Sequence, residues 1–211
     1  MALVKYNDRS LRNLTTVPAA VTGNNPGALQ HIKTLTASSS STLSFVDGSS
    51  SVVLDSTYPI YKFEFINIHP ATDNANFLFQ TSTDSGSNYN TTLTSTFFYA
   101  YHFENDSAAV LAYDANFDQA QGTAFQRIID AIGNLADESG SGTLYLFNPS
   151  STTFVKHYMS NCNSYVDGTY STNYFSAGYY NTTSAIDAVQ FKMSSGNIDS
   201  GKIKLYGIKD S

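Results

Sequence analysis

From residue 28 onward the chain is built of short runs in which apolar and polar residues alternate, broken by clusters of Ser, Gly, Asn or Pro. A period of two is the pattern of a strand with one buried face, because successive side chains point to opposite sides. The strongest run is YPIYKFEFINIHP (58–70), bracketed by Pro59 and Pro70, which cannot donate to a ladder. Strict alternation sets Phe63 and Phe65 on one face and Glu64, Ile66 and Ile68 on the other. Further strand-like runs are ALQHIKTLTA, STLSFVDG, SVVLD, ANFLFQT, TLTSTFFYAYHF, TLYLF, TTFVKHYMSN, STNYFSAGYYN, AIDAVQFKM and KIKLYGI.

In the closing SSGNIDSGKIKLYGIKDS, Gly196-Asn197 and Ser200-Gly201 flank Ile198, whose side chain is expected to plug the end of a sandwich. Val189, Phe191 and Met193 share a face and are expected to pair in a hairpin with Ile203 and Leu205, leaving Lys202 and Lys204 on the wet side. Two stretches break the rhythm. The segment 104–122 is acidic and reads as a long connection. In TAFQRIIDAIGNLADESGSG, residues Phe125, Ile128, Ile129 and Ile132 fit a helical stripe, yet the run also suits a long hairpin; strand is preferred. Residues 1–27, polar and interrupted by Pro18 and GNNPG, read as an extended arm. About ten short strands with regular turn signals predict an all-β chain. The expected form is a single-domain antiparallel β-sandwich of jelly-roll type over 28–211, with an extended N-terminal arm over 1–27.

Composition alters this picture in one respect. Charged residues make up 13% of the 211, about half of the common share of roughly 25%, while there are 15 Tyr, 14 Phe and no Trp. Ser, Thr, Asn and Tyr must therefore dress the surface, which repels neighbouring molecules weakly. Several strands, TLYLF and TFFYAYHF among them, are apolar on both faces. One face serves the core, and the other needs a loop, the arm or another subunit, since large exposed apolar patches mark interaction sites. The candidate interface residues are Leu3, Val4, Tyr6, Leu11 and Leu14 of the arm, with Tyr145, Phe147, Tyr174, Tyr179 and Tyr180 of the domain.

The net charge of −6 and the lack of a Lys/Arg cluster argue against nucleic acid as a partner. No apolar run is long enough for a membrane span, and no leader-like apolar segment opens the chain. The sequons at Asn13, Asn90 and Asn181 are what a Ser/Thr/Asn-rich sequence produces by chance. A single cysteine, Cys162, excludes an internal disulfide and is expected to be a buried or semi-buried small residue. His31, His69, His102 and His157 fall in four separate strands or strand ends and read as isolated. DANFD (114–118) starts like a calcium loop, but Gln119 and Phe125 stand where Gly and Glu are required. No nucleophile elbow, HExxH or phosphate loop is present, and Glu64, Glu104, Asp106 and Glu138 are not paired by any spacing. No catalytic, metal or cofactor residue is assigned, and the expected class is non-catalytic. The tyrosines of YSTNYFSAGYYN (170–181) suit a protein interface better than a sugar site, where Trp is the commoner platform.

The stretches FINIHPATD and SSGNIDSGKIKLYGI, together with TLTASSSSTLSFVDG and SGSGTLYLFNPSSTTFVKHYMSN, resemble virion structural proteins of tailed bacteriophages, those of aquatic phages and cyanophages most. The resemblance spans roughly 28–208 and favours strand over helix at 124–132. It implies a capsid decoration (cement) protein on the outer capsid surface, binding the major capsid protein and copies of itself, with a homotrimer expected. The alternative it implies is a tail or tail-fibre component whose jelly roll touches a receptor or host glycan.

Overall fold

The computed structural model describes residues 28–166 and 169–210. The arm candidates Leu3, Val4, Tyr6, Leu11 and Leu14 lie outside the described residues. In chain order the strands are β1 (Leu29–Thr36), β2 (Leu43–Val46), β3 (Ile60–Pro70), β4 (Ala75–Ser82), β5 (Leu93–Phe103) and β6 (Ala109–Tyr113). They continue as β7 (Gln126–Ile132), β8 (Gly140–Phe147), β9 (Lys156–Val166), β10 (Tyr170–Tyr180), β11 (Ala188–Met193) and β12 (Ile198–Ile208), and no helix occurs among the described residues.

The twelve strands form two antiparallel sheets packed as a β-sandwich. The larger has eight strands in the order β1-β12-β3-β8-β9-β10-β5-β6, and the smaller four in the order β2-β11-β4-β7. The first strand lies beside the last and the second beside the second-last. The hairpins β5-β6 and β9-β10 lengthen the larger sheet alone, so four strands face eight. Between the sheets lies an aromatic core that includes Phe45, Phe63, Phe65, Phe77, Phe79 and Phe191.

Three expectations change with this architecture, and a fourth holds for an unexpected reason. The segment 104–122 is not all connection, because it contains β6, which pairs with β5 from Phe98↔Tyr113 to His102↔Ala109. The closing runs are not a hairpin. Strand β11 pairs with β2 and β4, whereas β12 pairs with β1 and β3 in the opposite sheet. Their apolar faces meet across the sandwich instead, and Phe191 places its ring 5.3 Å from both Phe63 and Phe65 of β3. Ile198 is fully buried, as a plug at the crossing would be.

The third change concerns Ile68. Both β3 and β12 lose register near Asn67 and Ser200. Asn67 turns to φ +49 and Gly201 to φ +117, and the extra residue flips the alternation so that Ile68 joins the core. Fourth, the helical stripe of 124–132 belongs to a strand, as preferred. Opposite β4, Phe77 pairs with Ile129 while Leu78 pairs with Arg127, so Ile128 is an extra residue. A second irregularity at Ala131 (φ +48), whose amide donates to Asn76 Oδ1 at 3.0 Å, precedes Ile132. Two bulges turn Ile128, Ile129 and Ile132 inward together, a spacing that imitates a helix.

Candidate functional site

Two surfaces carry chemistry, and both follow from the mismatch of eight strands against four. The first is the outer face of the larger sheet. Reading across it, one row runs Ile208–Ile60–Phe147 and the next Lys62–Tyr145–Met159–Ala177–Thr96. A third row runs Thr143–Asn161–Phe175–Phe98–Tyr113. The Phe98 and Phe175 rings stack with centroids 4.7 Å apart and planes 9° from parallel. Tyr145 and Phe147 lie side by side at 6.4 Å, and Lys62 Nζ sits 5.8 Å from the Tyr145 centroid. Met159 is 57% exposed, Tyr113 56% and Phe98 38%. Two shallow depressions share Phe147 and Met159 and join the rows into one aromatic and methionine-bearing face. Its few charges lie toward β12: Lys62 and Glu64 pair at 2.7 Å, and Lys204 stands opposite Glu64.

Of the residues chosen from sequence, Tyr145, Phe147 and Tyr179 lie on this face, half-buried. Tyr174 and Tyr180 do not. Strand parity turns them inward, Tyr180 being fully buried against Phe79 and Tyr158, and Tyr174 4% exposed beside Phe97. The sequence reading missed Ile60, Phe98, Met159, Phe175 and Ile208. Alternation within each strand marks the parity of Phe98 and Phe175. Their convergence with residues of β8 and β9 depends on a register that no local pattern carries.

The second surface is a cleft at the other side of the same sheet. The smaller sheet ends at β7, which lies over β9 and β10. Beyond it, the inward-facing Tyr99, Tyr101 and Phe103 of β5, and Tyr170 and Thr172 of β10, lack a facing strand among the described residues. The loop after β6 overhangs them, and the space between measures about 240 Å³, walled also by Asp114, Phe117, Asp130 and Tyr174. Buried amides hold this loop in place. Gln126 donates to Phe117 O at 2.9 Å and accepts from the Ser95 hydroxyl at 2.7 Å. Ser95 Oγ in turn accepts from the Gln119 amide at 2.9 Å, and Gln80 donates to Thr123 O and Ala124 O at 3.1 and 2.9 Å. Such satisfied buried networks rigidify what they join. Phe117 is thereby set edge-on to Phe97 at 5.3 Å, with the Arg127 guanidinium 3.6 Å from its centroid.

Arg127 also pairs with Asp130. Burial pushes the Asp130 carboxyl up, opposed by the guanidinium beside it. The Tyr174 hydroxyl donates to Asp130 O at 2.9 Å. At DANFD, Asp114 Oδ1 accepts from the Asn116 amide and side chain at 2.9 and 3.0 Å, and Tyr113 donates to Asp118. Those bonds close a turn. The histidines lie apart: His31 shares a hydrogen bond with Thr34 Oγ1, His69 donates to Glu138 O, and His102 pairs with Asp106. Among the described residues, no three His, Cys, Asp or Glu side chains gather as a metal set would. Cys162 is buried, and burial pushes its thiol up to about 12, so it is a poor nucleophile at neutral pH.

No family profile matches the sequence, no curated protein matches it, and no solved structure matches the fold.

Proposed function

We propose that this chain is a non-catalytic structural protein of a phage particle, a capsid decoration (cement) protein that lays the outer face of its larger sheet on the major capsid protein. One observation carries the docking mode: an aromatic, methionine-bearing and charge-poor face whose rows span three to five strands and which nothing among the described residues covers. Interface cores are enriched in Tyr, Phe and Met and depleted of Lys, Glu and Asp, which is the balance of this face. The resemblance of residues 28–208 to virion structural proteins supplies the particle, and the outer capsid surface is the location that follows. The strand order supports a jelly roll, because first beside last and second beside second-last is its nesting once the β5-β6 and β9-β10 hairpins are set aside as insertions. Copies of the chain, a homotrimer in this reading, would repeat the contact over the shell, and repetition converts modest contacts into avidity.

A tail or tail-fibre component is the second reading, favoured by the aromatic cleft, which suits a receptor glycan. The two differ in copy number. Quantitative mass spectrometry of purified particles should count on the order of hundreds of copies if the protein follows the shell's symmetry, against roughly a dozen or two for a tail part. A tail-level count sinks the decoration reading. The double substitution Phe98→Ser with Met159→Ser should abolish particle binding with the fold intact; full retention of binding removes the outer face from the proposal.

A further inference from the structure

We propose that the cleft between β5, β10 and the loop after β6 is a binding site for a neutral saccharide. Its two walls differ in chemistry. One is a continuous aromatic surface. Tyr99 and Tyr101 lie 6.1 Å apart with planes 15° from parallel, and Phe103 and Tyr170 follow with centroids 4.8 Å apart. Tyr101 touches both of these at 5.6 and 5.7 Å. The rings contact one another, so no interstice is left among them for an ammonium group, as an aromatic cage would need. They form a wall. The opposite side is polar, with Asp114 and Asp130 carboxylates beside Phe117.

A pyranose has the same division. Its C–H bonds point from one ring face and pack on the negative face of an aromatic ring. Its hydroxyls project from the edge and donate to carboxylates, which only accept when ionised. Asp114 uses Oδ1 for its own turn, and Oδ2 accepts no hydrogen bond from the described residues. Thr172, 3% exposed, lines the cleft beside the Tyr174 hydroxyl, which donates to Asp130 O at 2.9 Å. Charge sets the preference within the class. Arg127 balances Asp130, while no ion pair reaches Asp114 among the described residues, so sialic and uronic acids are repelled while uncharged sugars are not. The volume of about 240 Å³ admits one sugar unit at a time, with neighbours in solvent.

This site lies on the opposite side of the sheet from the proposed docking face, so both can be occupied together. The inference is independent of the virion reading, and a copy count in particles does not bear on it. The test uses the full chain on a glycan microarray, followed by saturation-transfer NMR with lactose, cellobiose, 3′-sialyllactose and phosphocholine. A neutral saccharide should bind with transfer to its C–H protons, while 3′-sialyllactose and phosphocholine do not. Tyr101→Ala should weaken binding roughly tenfold through loss of the stacked ring. Asp114→Asn, on the loop and remote from the core, should weaken it several-fold, and the outer-face pair Phe98→Ser with Met159→Ser should leave it unchanged. Absence of any neutral saccharide signal, preference for phosphocholine, or binding indifferent to both cleft substitutions overturns the proposal.

Discussion

Phe191 is the side chain through which the two sheets hold one another, so Phe191→Ala is the sharpest test of the arrangement. It is fully buried, and its ring lies 5.3 Å from Phe63 and Phe65 across the sandwich. Within its own sheet it stands 6.2, 5.7 and 6.2 Å from Phe45, Phe77 and Phe79. Truncating a buried Phe costs about 3–5 kcal/mol, the spread reflecting how far the site can collapse. Collapse is restricted here, because β11 is hydrogen-bonded on both edges and so is β3. Five aromatic neighbours also lose their contacts at once, each worth about 0.5–1.5 kcal/mol beyond its area. The upper half of the range, about 4–5 kcal/mol, is therefore expected. At about 2–4 °C per kcal/mol for a domain of this size, Tm should fall by roughly 10–20 °C. Urea unfolding followed by far-UV circular dichroism measures the change, with m unaltered if the unfolded states match. Phe98→Ser, on the outer face, should cost less than about 1 kcal/mol. A loss below about 2 kcal/mol for Phe191→Ala would refute the placement of β11 and β12 in opposite sheets.

Other outcomes follow from buried polar groups and bulges. Burial pushes the hydroxyls of Tyr158 and Tyr180 up, and the Tyr174 hydroxyl and the Cys162 thiol up to about 12. Their stabilisation is whole below their unfolded values, near 8.5 for the thiol and 10 for the phenols, and is lost as pH rises toward the folded ones. The unfolding free energy from urea melts should hold to about pH 8 and then fall, by about 5 kcal/mol per pH unit near pH 11 if all four groups take part, with the urea midpoint falling in step. Lys156, pulled down by burial, acts in the opposite sense below its ordinary value. A midpoint flat to pH 12 would contradict the burial. Gly201→Ala places a side chain at φ +117 with its Cβ 2.6 Å from Asn67 O, and should cost about 1–3 kcal/mol by chemical denaturation. Gln126→Leu removes the bonds to Phe117 O and Ser95 and should accelerate amide exchange at residues 117–124, with a cost of about 1–3 kcal/mol. Unchanged exchange there would show that the loop is held by other contacts.

Strand identity was legible wherever alternation ran unbroken. Phe63 and Phe65 were placed together on one face, and Val189, Phe191, Ile203 and Leu205 on apolar faces opposite the wet lysines, from period alone; each is buried. The reading slipped where a bulge shifts parity, as at Ile68. It also slipped at β6, where a short edge strand rich in exposed apolar residues, such as Leu111 at 74%, lies in an acidic stretch. Tyr174 and Tyr180 were grouped with Tyr179 because they share a segment, although adjacent residues of a strand face opposite ways. The buried amides of Gln80 and Gln126 gave no signal, since a polar residue in a strand ordinarily reads as solvent-facing.

The class of the molecule is written in the chain: all β, aromatic and charge-poor, with strands apolar on both sides. Those are properties of local spacing and composition, and they survive any arrangement of the strands. Which strands become neighbours is not written there; packing in three dimensions selects them. Most close contacts join residues far apart in sequence, so register and sheet membership are set by packing across the core and not by local pattern. That choice put β11 and β12 in opposite sheets and lengthened one sheet to eight strands. It aligned Phe98, Met159 and Phe147 on one face, and left the β5 and β10 tyrosines without a facing strand, which is the physical origin of the cleft.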